Sequence, residues 1–420
     1  EEEDAGAAVG QSAQDLHAAL GEVVGTFGEI EILQEHPQGA RLAAAPEEDV
    51  VAFAKSSGFG ELEATVEQWS HTTTRVITRA RELEPDTEHL GPTSELKRWK
   101  QRTAAYDSIV HQLGMPSRKG VLRCLRAGGS RLLRKWQPLE GRVMALLLEA
   151  RECCKYLDAL GRSLAPLYGS SPAKAREAIT PLLRATMTMQ NVSSRYSTQE
   201  RTTGLFIKIS NEMIQLCKRH LLEKGPLFDQ PSAVAITRLA ECVGLHDEYR
   251  RQWKALLWDG SDEYLQQLAR LGLSESAVFG KFSAFTKRLE ALKELFVTME
   301  AYATFSRSSI PGVEQIVTRL EVAFRDVRAT SCDVLDHRAA AFSRDYEAFK
   351  EKLAGIEEGL AAFISDSFRS VSTTVRAIYL LDQFQYLLQR DSLRHLLVEQ
   401  YEVIAACYSL DLEAVRATYE

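Results

Sequence analysis

Apolar residues recur at three- and four-residue spacing through most of the chain, the signature of helices that bury one face. Residues 195–221 show it most plainly. Leu205, Phe206, Ile209, Met213, Ile214, Cys217 and Leu221 form one stripe. Ser197 followed by Glu200 reads as a capping box that opens this helix. Lys208 and Glu212 lie four apart and are expected on the wet side, and Lys218, Arg219 and His220 fall where a helix C-terminus favours cations.

The same texture begins near Glu61, with Leu62, Val66, Trp69, Val76 and Ile77 on one helix. Pro85, Gly91 and Pro92 separate it from a second, whose Leu96, Trp99, Thr103, Tyr106, Val110 and Leu113 alternate as a narrow seam closed by Gly114 and Pro116. A helix over 138–164 follows, and Pro166, Pro172 and Pro181 punctuate the approach to the 195–221 stretch. After Pro226 and Pro231 the pattern predicts a helix through Trp253. Two further seams are Phe282, Phe285, Leu289, Leu292, Phe296 and Met299, then Phe342, Tyr346, Phe349, Leu353, Ile356, Leu360 and Phe363. Residues 375–388 and 393–408 add two helices. Pro311 is the last proline, so few breakers remain beyond it.

Residues 1–59 differ. Leu16, Leu20, Val23, Val24 and Phe27 suggest one short helix, and weak alternation through GEIEILQEHPQGARLAAA to Val50, Val51 and Phe53 predicts two or three short strands. The expected fold is all-α, an elongated stack of antiparallel helical bundles, with a small mixed α/β N-terminal segment. The expected divisions are 1–59, 60–225 and 226–420. No constant repeat period marks a short-repeat solenoid.

Composition narrows the function. At 420 residues several packing units are expected. The net charge of −7 argues against nucleic acid as the main partner. Seven scattered cysteines, without CxxC spacing or a Cys/His cluster, read as free thiols in a reducing compartment. The EEED start lacks the basic and apolar regions of a signal peptide, and no run approaches the ~18 apolar residues of a membrane span. A cytoplasmic, membrane-free protein is expected.

Catalytic constellations are absent. The sequence has no GxxxxGK[ST], no GxGxxG after a strand, no HExxH, no GxSxG and no zinc-ligand spacing. Gly128-Gly129-Ser130 lacks the Lys-Ser/Thr end of a phosphate loop and reads as an inter-helix turn. His246 reads as a helix-surface or core-edge histidine, and Asp247, Glu248, Glu357 and Glu358 read as solvated helix faces. No enzyme activity, cofactor or metal is expected.

Two segments suggest binding instead. Residues 118–135 carry Arg118, Lys119, Arg123, Arg126, Arg131, Arg134 and Lys135, with no acidic residue between Asp107 and Glu140. This run is either a solvated or internally paired helix face or a contact for an acidic protein. Only Trp136 stands near it, so stacking on nucleic acid finds no support. The segment LHDEYRRQW reads first as an exposed helix face with an aromatic anchor. Its second reading is a binding patch, since Tyr249, Arg250, Arg251 and Trp253 are of the kinds enriched in interface hot spots.

Several stretches, in order, resemble the tail of dynein heavy chains. They are ATVEQWS with Trp69, SELKRWKQR with Glu95, Trp99 and Arg102, and RYSTQER with Tyr196, Ser197, Thr198, Glu200 and Arg201. RLAECVGLHDEYRRQW follows with Cys242, Leu245 and Tyr249, then FSAFTKRLEAL with Phe282, Phe285, Arg288, Leu289 and Leu292, and FSRDYEAFK with Phe342 and Phe349. The closing run SFRSVSTTVRAIYLLDQFQYLLQR is also similar. The family's tryptophan before the tyrosine motif is missing, with Gln190 nearby, and its Asn in Y-N-T is Ser197.

The resemblance covers roughly residues 64–420, and its flavour is axonemal, of the outer-arm kind. It implies a non-catalytic scaffold preceded by a heavy-chain dimerisation region at 1–59. The implied partners are WD-repeat intermediate chains, light chains, other heavy chains and docking proteins on the doublet microtubule of a cilium or flagellum. Neither nucleic acid nor membrane is implied. The ATP-driven, minus-end-directed motor would lie in the parent protein, outside these residues. The alternative is a helical tethering or adaptor scaffold of the vesicle-tether kind.

Overall fold

The computed structural model describes residues 32–82, 90–257, 273–305, 310, 312–329, 332–371 and 373–419. Helices joined by short turns account for the described secondary structure, with no strand among the described residues. Two compact units emerge. The first comprises Glu1–Leu216 with Glu248–Lys281, and the second Cys217–Asp247 with Phe282–Glu420.

Among the described residues the first unit opens with α1 (Gly39–Ala44) and α2 (Glu47–Phe53), where strands were expected. The reason is local. Pro46 precedes α2, and Glu47, Glu48 and Asp49 fill its first turn, where the helix dipole favours acids. Val50 is buried while Val51 is exposed, which a short helix satisfies with a single inward position. The mixed α/β segment is therefore not what residues 32–59 form. The helix expected over Leu16–Phe27 lies outside the described residues.

Next come α3 (Phe59–Glu82), α4 (Pro92–Gly114) and α5 (Pro116–Ala127). After them run α6 (Leu133–Leu164) and α7 (Pro172–Val192). The α1 helix lies directly on α5. A Cβ on Gly120 would sit 2.1 Å from the Gly39 carbonyl oxygen and 2.6 Å from the Ala43 amide, so only glycine permits this backbone approach. The α4 helix packs extensively along α6. Trp69 of α3 meets Trp136 of α6 with ring centroids 6.1 Å apart, and both are fully buried. The α6 helix begins five residues before Pro138, which lies inside it at the cost of one backbone hydrogen bond, and Leu133 and Trp136 supply buried anchors ahead of the proline. Gly129, with φ +66°, makes the turn between α5 and α6, the conformation that favours glycine.

Three further helices contribute residues to both units: α8 (Gln199–Leu222), α9 (Ser232–Leu257) and α10 (Glu275–Phe305). The second unit adds α11 (Glu314–Arg328), α12 (Ala340–Arg369), α13 (Thr374–Phe384) and α14 (Asp391–Tyr419). Its core contains both seams read from sequence: Phe282, Phe285, Leu289, Leu292, Phe296 and Met299 of α10, and Phe342 through Leu360 of α12, are buried. Phe363 is only half-buried, and Ile364 takes the inward position.

Arg288 lies over the Phe342 ring at 4.4 Å and donates to the carbonyls of Val334, Asp336 and Ala339 at 3.0–3.2 Å. His246 is buried within the second unit, edge-on to Phe282 and 3.1 Å from the Ser283 hydroxyl. Glu357, expected on a solvated face, is buried too. It accepts from Tyr302, Arg390 and Ser392 at 2.7–2.8 Å. No described helix is long and apolar enough to cross a membrane.

Candidate functional site

Within the first unit, the family-like motifs converge on a buried polar centre. Glu95 of α4 pairs with Lys208 of α8, and also accepts from Arg98 at 2.5 Å and from the Trp99 indole at 2.7 Å. Lys208 and Glu95 are almost wholly buried. Burial pushes the Glu95 carboxyl up. Lys208 and Arg98 beside it, with the Lys208 and Trp99 hydrogen bonds, outweigh that and hold it below the usual carboxylate range. Lys208 and Glu212 were expected on a wet face, and both are interior. The correction follows from α8 itself: of residues 201–220 only Gln215 and Arg219 are exposed, so this helix has almost no wet side.

The Trp99 ring is flanked by cations. The guanidinium carbons of Arg102 and Arg201 each lie 4.9 Å from it, and that of Arg98 lies 5.5 Å away. Arg102 also donates to the Ala80 carbonyl at 2.8 Å, and Arg201 pairs with Glu149. Glu152 gathers the loop before α8, accepting from the Ser193 hydroxyl and the Ser194 and Arg195 amides at 2.9–3.1 Å. The helix then starts at Gln199, and the Thr198 carbonyl accepts from the Thr202 amide at 3.0 Å. Thr198 thus takes the capping position. Ser197 lies one residue outside it, and the expected Ser197–Glu200 capping box does not form. These motif residues hold the helices of the first unit together. Among the described residues no group of three His, Cys, Asp or Glu side chains is placed to hold a metal ion.

The residues singled out for partner binding divide into two sets. Arg118 is buried and donates to the Leu33 carbonyl at 2.7 and 3.2 Å. Arg123 is half-buried and donates to the Ala45 carbonyl at 2.9 Å. Both pin the segment before α2 onto α5. Tyr249 and Trp253 are buried against Phe279 at 4.9 and 5.3 Å. They are core residues, not an exposed anchor. Lys119, Arg126, Arg250 and Arg251 remain exposed, the last two paired with Glu275 and Glu248.

The surface features missed in sequence are grooves. One, of about 1000 Å³, runs between α3 and the start of α6, where His71, Arg75, Arg79 and Lys135 face a single acid, Glu67. Its signal was the four-residue spacing of His71, Arg75 and Arg79. That spacing lies in a different helix from the basic run and was passed over. A second, apolar groove of about 530 Å³ lies between α13 and α14, lined by Ile378, Leu397, Tyr401 and Tyr408 among others.

Residues 59–420 match the family described as dynein heavy chain, N-terminal region 1. The chain belongs to that family. It is 30% identical over 346 residues to human dynein axonemal heavy chain 8, which covers 81% of this chain and 8% of the relative. It is 28% identical over 361 residues to the gamma chain of the flagellar outer arm dynein of Chlamydomonas reinhardtii, covering 86% of this chain and 8% of that one. The flagellar outer arm beta chain of the same alga aligns over 96% of this chain at 24% identity. The similarity is therefore to axonemal chains, and this dynein tail segment spans less than a tenth of the length of those relatives. Family membership decides between the two scaffold readings raised by the sequence, in favour of dynein over a vesicle tether.

Proposed function

We propose that this segment is a non-catalytic part of the tail of an axonemal dynein heavy chain. In this reading it assembles intermediate, light and other heavy chains and helps anchor the complex to the doublet microtubule. The parent protein would be the ATP-driven, minus-end-directed motor of ciliary beating. The observation that carries the reading is the family match over residues 59–420.

The interior supports it. The polar centre at Glu95 and the cluster at Arg288 are occupied by their own side chains and backbone, as a rigid scaffold requires. Working contacts then fall to exposed positions such as Lys119, Arg126, Arg250 and Arg251. The test is co-expression of the chain with a WD-repeat axonemal intermediate chain, followed by size-exclusion chromatography and an ATPase assay. Co-elution without ATP turnover is expected. ATP turnover by the 420-residue chain, or separate elution from every dynein subunit tried, overturns the proposal.

A further inference from the structure

The groove between α3 and α6 has a directional chemistry. His71, Arg75 and Arg79 are spaced four apart and form a ladder along α3, each step rising ~6 Å. Ser70, Thr74 and Thr78 form a second ladder of hydroxyls beside it. Lys135 lines the groove from α6. Arg75, Arg79 and Lys135 are exposed, and none of the three is in an ion pair among the described residues. A chain of net charge −7 thus keeps a concentrated positive strip over one concave surface.

We propose that this groove binds an acidic, extended segment of a partner protein. Alternate residues of an extended strand lie ~6.6 Å apart on one side, close to the spacing of the α3 cations. Carboxylates at every second position would meet Arg75 and Arg79, with Lys135 closing from α6. The Thr74 and Thr78 hydroxyls can then donate to the strand's carbonyls. Nucleic acid fits less well, because no Phe, Tyr or Trp lines the groove to stack on a base. A membrane surface fits less well, because Leu132 is its only large apolar side chain. The inference rests on the reading of this chain as an assembling tail and names the chemistry of one contact.

The test is fluorescence anisotropy with the full 420-residue chain and a dye-labelled peptide of alternating glutamate and threonine. A second peptide has the same composition with its glutamates in one block. At low ionic strength the alternating peptide should bind at least tenfold more tightly than the blocked one. R75E/R79E should weaken it at least tenfold more than R325E/R344E, an exposed charge-matched pair in the second unit. Unchanged thermal unfolding of both variants shows that the fold is intact. Equal weakening by the two double variants, or equal binding of the two peptides, would reduce the effect to bulk charge and overturn the proposal. Absence of binding by the wild-type chain would overturn it as well. None of these results touches the tail reading, which fails on ATP turnover by the chain or on separate elution from the dynein subunits.

Discussion

Replacing Glu95 by glutamine should be among the most damaging single changes to the first unit. The substitution keeps the shape and an acceptor for the Trp99 indole, but leaves Lys208 buried without its counter-charge. Two unit charges 4 Å apart attract by about 4 kcal/mol at an effective dielectric near 20, and this pair is in direct contact. Breaking a buried pair by removing one partner typically costs about 3–5 kcal/mol. Lys208→Met should cost less, about 2–3 kcal/mol, because Glu95 keeps its bonds from Arg98 and Trp99. The double variant E95L/K208M removes both charges and should cost well under the sum of the singles.

The described tryptophans, Trp69, Trp99, Trp136 and Trp253, all fall in the first unit, so their indole fluorescence during urea or thermal unfolding reports on that unit. At ~2–4 °C per kcal/mol for a unit of this size, E95Q should lower the midpoint by ~6–20 °C. An E95Q midpoint within 2 °C of wild type, or strictly additive costs in the double variant, would refute the claim that this pair sustains the unit.

Further outcomes follow from the same structure. Because the folded-state pKa of Glu95 is depressed, its contribution to stability is present above the unfolded carboxylate value near ~4.3 and is lost as pH falls through the folded value. The stability gap between wild type and E95Q should therefore be constant from pH 5 to 7 and narrow in more acid solution, by urea titration at each pH. Gly120→Ala would drive a Cβ into the Gly39 carbonyl and should cost ~1–3 kcal/mol, with faster amide exchange in residues 39–53. Arg288→Ala leaves the carbonyls of Val334 and Ala339 without their donor, while that of Asp336 keeps the Ala339 amide, and should destabilise the second unit by on the order of 2 kcal/mol, read by circular dichroism during urea unfolding. Cys407 is exposed, whereas Cys153 is buried with its thiol pushed up to about 12, so a maleimide should label Cys407 quickly and Cys153 only on unfolding.

Apolar periodicity made the helical architecture legible, because Phe282 to Met299 and Phe342 to Leu360 meet their own core at three-four spacing. It misplaced residues wherever a helix lacks a wet side. Lys208 and Glu212 look like a solvent-facing pair four apart, and nothing in α8 reveals that Lys208 has a partner 113 positions away in Glu95. The same blindness affected Arg118, Tyr249 and Trp253, whose residue types suggest an interface and whose burial makes them internal clamps. In residues 39–53 the weak alternation misled, because Pro46 and the acids after it start a helix before any strand can pair. The α3 cations went unnoticed because the groove they line depends on Lys135 from another helix.

The central claim, that this chain is an assembling dynein tail segment, is tested most directly by crosslinking mass spectrometry on purified ciliary dynein that contains it. Lys119 and Lys287 are exposed in the first and second units and offer reporters in each. Crosslinks from either to a WD-repeat intermediate chain are the result the account predicts. Crosslinks confined to the chain itself, with no dynein subunit copurifying, would contradict it.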